Sequence, residues 1–128
     1  MTDTLAEAAV RARENAHAPY SHFRVGAALE DSQGRIHTGC NVENASYGLT
    51  ICAERVAVVK AISEGSRSFR RIAIAADTGQ LTPPCGACRQ MLWEFCGDIE
   101  LLLVNLNGKS ETLHLKDLFP RAYDRSFL

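Results

Sequence analysis

Two short apolar runs, "RRIAIAAD" at 70–77 and "IELLLVNL" at 99–106, set the tightest limit on the fold. Each has the length of a strand, and the first is apolar enough to be buried on both faces. A sheet built on such strands needs a covering layer on either side. The segments around them can supply it. "CAERVAVVKAISEG" carries Val56, Val59 and Ile62 at helical spacing and stops at Gly65, and "CGACRQMLWEFCG" holds helix-forming residues up to Gly97. An earlier helix is predicted where Thr4-x-x-Glu7 has capping-box spacing and Leu5, Ala8, Ala9 and Ala12 form one stripe. "HAPYSHF", with Pro19, ends it. In "RVGAALEDSQGRIHTGCNVEN" two apolar stretches flank Asp31-Ser32-Gln33-Gly34, a hairpin with Gly34 in the turn. "NGK" at 107–109 signals a second hairpin, "ETLHL" a last strand, and "KDLF" before Pro120 a helical turn. The order is helix, two strands, helix, strand, helix, strand, strand. It predicts an α/β chain, a three-layer α/β/α sandwich with a mixed central sheet, in a single domain over 1–128.

At 128 residues the chain can bury a core of its own. Its formal net charge of −1, from 14 basic and 15 acidic side chains, lacks the basic excess by which a domain grips nucleic acid. The densest basic stretch, "RSFRR" at 67–71, reads as a solvated helix-to-strand connection. No apolar run approaches the roughly 18 residues a membrane helix needs. The N-terminus has acidic residues early and no apolar leader. A cytoplasmic protein that binds neither membrane nor nucleic acid is the expectation.

Five cysteines, an odd number, stand at 40, 52, 85, 88 and 96. In a leaderless chain they favour metal or catalytic use over a disulfide framework. Cys85 and Cys88 are three apart at a predicted helix start and share a face. Cys52 opens the other helix. The positive end of a helix dipole lowers a thiol's pKa and favours the thiolate that a metal needs. Three thiolates leave one position of a tetrahedral Zn²⁺ free, as catalytic zinc requires and structural zinc does not. Cys96 lies eight residues beyond Cys88, roughly 12 Å along a helix, too far to share an ion. Cys40, at a strand end, is not excluded by spacing, although a buried free thiol suits it better. Glu54, two residues after Cys52, tips the balance toward catalysis. A carboxylate beside three thiolates does nothing for a structural site, whereas a hydrolytic site needs a proton carrier. Arg55 can offset the negative charge of the sulfurs.

"CAER" at 52–55 and "PCGACRQ" at 84–90, together with "APYSHFRVGAAL" at 18–29 and "NVENASYG" at 41–48, resemble the short-chain zinc-dependent cytidine deaminases over nearly the whole chain. The resemblance implies a cytidine deaminase-like fold and zinc held by Cys52, Cys85 and Cys88. It implies a water activated there for attack on C4 of cytosine, and Glu54 as catalytic proton shuttle. Cytidine and deoxycytidine would become uridine and deoxyuridine in pyrimidine salvage. Asn41 and Glu43 match the ribose-binding N-x-E, and positions i and i+2 of an extended segment face one way. Val42 between them would offer its backbone. Phe23 matches an aromatic packed on the pyrimidine, the Ala53 backbone a contact to the base, and Gln90 a supporting residue. The family's homotetramers share sites between subunits, which gives Tyr123 a place in a neighbour's site. Two positions depart from the pattern: Pro83 stands where Ser or Thr is common, and Tyr123 where phenylalanine is common. A polynucleotide deaminase would need a basic track that is missing. A deaminase of a cytosine-containing antibiotic would not need the N-x-E pair. A structural zinc module or redox CxxC leaves Glu54 unexplained.

Overall fold

The computed structural model describes residues 3–128; of the N-terminal stretch read as leaderless, Met1 and Thr2 lie outside the described residues. Helix α1 (Thr4–Arg13) precedes the hairpin β1 (Val25–Asp31) and β2 (Ile36–Cys40). Helix α2 (Ala53–Ser63), β3 (Phe69–Ala76), α3 (Gly86–Cys96), β4 (Glu100–Val104), β5 (Ser110–His114) and the turn α4 (Leu115–Leu118) follow. The five strands form one sheet in the order β2-β1-β3-β4-β5. β3 and β4 pair in parallel, joined by the α3 crossover, and the other neighbours are antiparallel. The sheet is mixed, as the order of elements predicts. Gly34 and Gly108 take positive φ in the two predicted hairpin turns.

Alternation along each strand assigns the layers. Leu29, Ile72, Ile74, Leu101 and Leu103 face α2, α3 and α4, where Val58, Leu92 and Leu115 meet them. Ala28, Ala73, Ala75, Leu102 and Val104 face α1 and its Leu5, Ala8 and Ala9. The predicted α/β/α sandwich is the observed one.

Close approach then fixes where the helices sit. A Cβ on Gly39 of β2 would lie 2.5 Å from the Ala57 nitrogen and 2.6 Å from the Ala53 carbonyl oxygen. The first turn of α2 therefore rests on a strand position that only glycine can fill. This contact explains one departure from expectation. The buried face of α2 is Ala53, Glu54, Ala57, Val58 and Ala61, while Val59 is exposed and Val56 and Ile62 are only partly covered. Alanines, with Val58 the one branched residue among them, occupy the helix–sheet contact because the backbones nearly touch.

Two further expectations are corrected. The N-cap of α1 is Asp3, not Thr4: its carboxylate accepts from the Leu5 and Ala6 N–H groups at 2.8 and 3.4 Å. A carboxylate also pairs with Arg71 at 2.7 Å, which a threonine cannot do. The Arg71 hydrogen bond is the main reason the Asp3 carboxyl lies below its usual range. "RSFRR" is likewise not a free connection. Phe69 already starts β3, and Arg71 ties that strand to Asp3 and Glu30.

Candidate metal centre and active site

Cys52 is the N-cap of α2, Cys85 is the N-cap of α3, and Cys88 lies in the first turn of α3. Neither cap residue's side chain caps its helix's backbone N–H groups, so the sulfurs are free to face each other at two positive helix ends. The three Sγ atoms lie within 4.8 Å of one another, with Cys85 and Cys88 at 3.5 Å. Three sulfurs around one tetrahedral zinc, at Zn–S of about 2.3 Å, would be about 3.8 Å apart, so the donor set fits that ion in both size and chemistry. Among the described residues this is the one cluster of metal-ligating groups that converges so closely. Cys96 and Cys40 stand outside it; burial raises both thiols, that of Cys96 to about 12, so neither is disposed toward a thiolate.

The electrostatics of the sulfur cluster follow from its geometry. Without a metal, the hydrogen bond from Cys88 draws the Cys52 thiol down to about 5, helped against burial by Arg55. The same bond, with burial and the Glu54 charge, pushes Cys88 up. One sulfur of the pair is thus favoured as thiolate and the other disfavoured, and a bound dication would favour the thiolate of both. An Arg55 guanidinium nitrogen lies 3.5 Å from Cys52 Sγ and 3.4 Å from the Thr50 carbonyl. The arginine is at the place that offsets thiolate charge.

Glu54 is 5% exposed, and burial above all pushes its carboxyl up to about 7 in the metal-free arrangement. It lines a cavity of about 170 Å³ with Phe23, Val25, Asn41, Thr50, Cys52, Ala53, Ile74, Thr82, Pro83 and Cys85. The cavity walls come from elements far apart in sequence, brought together because α2 and α3 both begin at this end of the sheet. Phe23 is 41% exposed, which makes it a wall of the cavity and not part of the core.

The N-x-E segment divides. Asn41 faces this cavity, its Oδ1 accepting from Val25 N–H at 2.9 Å and its Nδ2 donating to the Phe23 carbonyl at 2.7 Å. Glu43 faces an adjoining cavity of about 390 Å³ with Tyr20, Ser21, Tyr47 and Thr50. It accepts from the Tyr20 and Ser21 N–H groups at 3.0 and 3.1 Å and from the Ser21 hydroxyl, and that hydroxyl is the first reason its carboxyl lies low. Thr50 borders both cavities. Sequence reading missed it; its only signal is its place two residues before Cys52. The Val42 backbone is not open either. Its N–H and carbonyl pair with Ile51 at 2.9 Å each, which the reading of 41–43 as an extended segment with a free Val42 backbone did not foresee.

Gln90 Nε2 donates to the Tyr123 carbonyl at 2.9 Å. With Arg89 to Leu118 and Trp93 to Asp124, it ties the C-terminal segment to α3. Tyr123 is exposed and stacks on Phe127, with ring centroids 5.6 Å apart. Its ring lines neither of the two cavities. Among the described residues, no helix is long and apolar enough to cross a membrane.

A family model for the cytidine and deoxycytidylate deaminase zinc-binding region matches residues 1–103. The chain is 50% identical over 120 residues to a cytidine deaminase of Halalkalibacterium halodurans, covering 93% of this chain and 91% of that protein. It is 58% identical over 123 residues to a probable cytidine deaminase of Dictyostelium discoideum, covering 95% and 83%. The crystal structure of a cytidine deaminase from Burkholderia pseudomallei superposes with a TM-score of 0.91 at 48% identity, covering 96% of this chain and all of that one.

Proposed function

The chain belongs to the cytidine and deoxycytidylate deaminase family, and from that premise we propose that it hydrolyses cytidine and deoxycytidine to uridine and deoxyuridine, releasing ammonia, in pyrimidine salvage. The observation that carries this reading is one buried carboxyl, Glu54, sharing a cavity with Cys52 and Cys85 of a three-sulfur cluster. Cys52, Cys85 and Cys88 would hold a zinc ion, which when bound would supply the Lewis acidity that activates a water near neutral pH. Glu54 takes a proton from the attacking water and delivers it to N3 of the cytosine ring. The water oxygen bonds C4. Glu54 then moves the remaining proton to the amine, the C4–N4 bond breaks, and ammonia leaves. Burial keeps this carboxyl dry and close to the reacting atoms, the setting in which a glutamate can both take and give a proton near neutral pH.

The remaining residues orient the substrate. A cavity of about 170 Å³ suits a base better than a whole nucleoside, and the adjoining one at Thr50 gives room for the sugar. Phe23 packs on the pyrimidine and the Ala53 backbone meets its edge. Asn41 and Glu43 each keep hydrogen-bonding capacity beyond their protein partners, and bind the ribose hydroxyls from the two cavities. Val42 sets the spacing between them. Gln90 acts at one remove, through the C-terminal segment. We place the enzyme in the cytoplasm as a homotetramer, with Tyr123 reaching a neighbour's site. Supporting the assembly are large side chains in the open near the cavity mouths and on the tail: Tyr47 at 75% exposure, Leu49 at 65% and Phe127 at 69%. The deciding experiment measures ammonia from cytidine beside the zinc-to-chain ratio. Turnover undiminished in zinc-free protein would overturn the metal assignment, and no ammonia from zinc-loaded protein would overturn the substrate.

A further inference from the structure

Asn105 is buried at 6% exposure, and no step above uses it. It follows Val104, the last residue of β4, whose partner in the parallel ladder is Ala75 of β3. The chain of residues 77–84 therefore leaves the sheet beside Asn105 and runs to Cys85. That segment is weakly held by its own backbone. Among the described residues, no backbone-to-backbone hydrogen bond outside the helices and strands involves residues 78–84, and Pro83 and Pro84 have no N–H to offer. Side chains hold it instead. Arg89 donates to the Pro84 carbonyl at 2.7 Å. At the other end, Asn105 Nδ2 donates to the Thr78 carbonyl at 3.0 Å.

The rest of Asn105 is anchored. Its Oδ1 accepts from the Asn107 and Lys109 N–H groups at 3.0 and 2.9 Å, and its own N–H donates to the Lys109 carbonyl at 3.1 Å. The side chain is thus one piece with the β4–β5 turn. Thr78 carries the contact onward. Its hydroxyl donates to the Gln80 carbonyl and lies 3.0 Å from Thr82 Oγ1. With the Thr78 proton so placed, the Thr82 hydroxyl is the donor between them. Thr82 and Pro83 line the cavity that Glu54 also lines.

We propose that Asn105 is a positioning residue for the reaction. It clasps segment 77–84 to the β4–β5 turn and, through Thr78, holds the Thr82–Pro83 wall in the place that seats the substrate base. The proposal rests on the deaminase reading. Its test compares zinc-loaded Asn105→Asp, Thr78→Val and the double variant. Asn105→Asp keeps the acceptor for the turn and loses the donor to Thr78; Thr78→Val keeps the clasp and loses the link to Thr82. Each single variant is expected to raise the KM for cytidine about tenfold while kcat falls by less than about threefold, because the base is misplaced and the proton carrier is not touched. The double variant is expected to resemble the singles, since both break one chain of contacts. Zinc content stays at the parent's value, and amide hydrogen exchange quickens in 77–84 alone. A KM within about twofold of the parent in folded variants, or additive effects in the double variant, overturns the proposal. If Asn105→Asp does not fold, Thr78→Val decides by the same readings. A parent chain that releases no ammonia from cytidine overturns the deaminase reading, and this role with it. A parent that turns over normally beside unaffected variants overturns the role alone.

Discussion

Strand β1 joins two buried polar clusters that could hardly differ more. At its start Val25 borders the cavity of Glu54 and the cysteines. At its end, six residues or about 20 Å away, Asp31 is 2% exposed and gathers His37, Ser66 and Arg35 around it. In that second cluster each side chain answers another. Asp31 Oδ2 accepts from Ser66 at 2.9 Å and Arg35 at 3.0 Å and lies 3.1 Å from His37 Nε2, while His37 Nδ1 lies 3.1 Å from Glu64. Asp31 Oδ1 closes the hairpin turn, accepting from the Gln33 and Arg35 N–H groups. In the first cluster the sulfurs bond each other, Arg55 and, through Cys88, the Glu54 carboxyl, and the Glu54 side chain has no hydrogen-bonding partner among the described side chains beyond that cluster. A serine, a histidine and an aspartate in mutual contact look catalytic on paper. Their hydrogen bonds are nevertheless complete, and complete polar networks stabilise and position. The chemically open cluster is the one whose three sulfurs converge at metal-binding distance.

Cys85→Ala should break this contrast most severely. With one of three sulfurs gone, zinc should be lost and turnover should fall to background, and the two helix starts held by the ion should loosen. Metal content and thermal melting read both effects. Full zinc occupancy in Cys85→Ala would show that the ligands lie elsewhere. Glu54→Gln comes next. It removes a proton carrier and leaves the sulfurs untouched, so kcat should fall by at least about 10²–10⁴-fold with zinc retained. A rate within a few-fold of the parent would take Glu54 out of the mechanism.

These two groups were also the most legible in the sequence. Their spacing at helix starts is local, and local spacing survives into the structure: Cys52 and Cys85 cap their helices, and Gly34, Gly97 and Gly108 take the positive φ their turns need. The parts that were not legible depend on contacts across the sheet. Nothing near Asp31, His37 or Ser66 announces that they meet, because a hairpin register and the end of α2 bring them together. Val59 looked like core and is exposed because Gly39 draws the α2 backbone onto β2. Asn41 and Glu43 share strand-like spacing, yet the bridges from Val42 to Ile51 and from residue 42 to His17 bend them toward different cavities.

Glu43 sits between the two kinds of cluster, since it is already bound by Tyr20 and Ser21 but borders a cavity. Glu43→Ala should therefore raise the KM for cytidine about tenfold and change kcat less, with zinc retained. Unchanged cytidine turnover would make this residue only an anchor of the 20–21 backbone.

The Asp31 cluster should respond in stability, and with a definite sign toward pH. Burial pushes the Asp31 carboxyl up, but hydrogen bonds from His37, the Arg35 N–H, Ser66 and the Gln33 N–H outweigh it and hold the group well below the ordinary carboxylate range. A carboxyl whose folded pKa is lowered contributes stability that is complete above its unfolded pKa of about 3.9 and is lost as pH falls toward the folded value. Asp31→Asn should lower the melting temperature at neutral pH and lessen its fall on acidification. Zinc content and kcat should not move. A melting curve with the parent's acid slope would show that other carboxyls carry the effect.

Ser66→Ala should give the smallest change and the sharpest reading. The hydroxyl donates to Asp31 at 2.9 Å, lies 3.2 Å from His37 Nε2, and is 3.4 Å from an Arg35 nitrogen. Removing it leaves Asp31 with His37, the Arg35 side chain and two backbone N–H groups, so no buried charge is stranded. The cost should be that of one hydrogen bond, about 1 kcal/mol, or about 4 °C in melting temperature for a chain of this size. Were Ser66 a nucleophile or a relay to the cavity, its loss would instead appear in turnover. The expected result is kcat, KM and zinc content equal to the parent's, measured well below the melting transition. A fall in kcat with zinc still bound would mean that the two ends of β1 are energetically coupled, and that complete hydrogen bonding does not mark a cluster as structural.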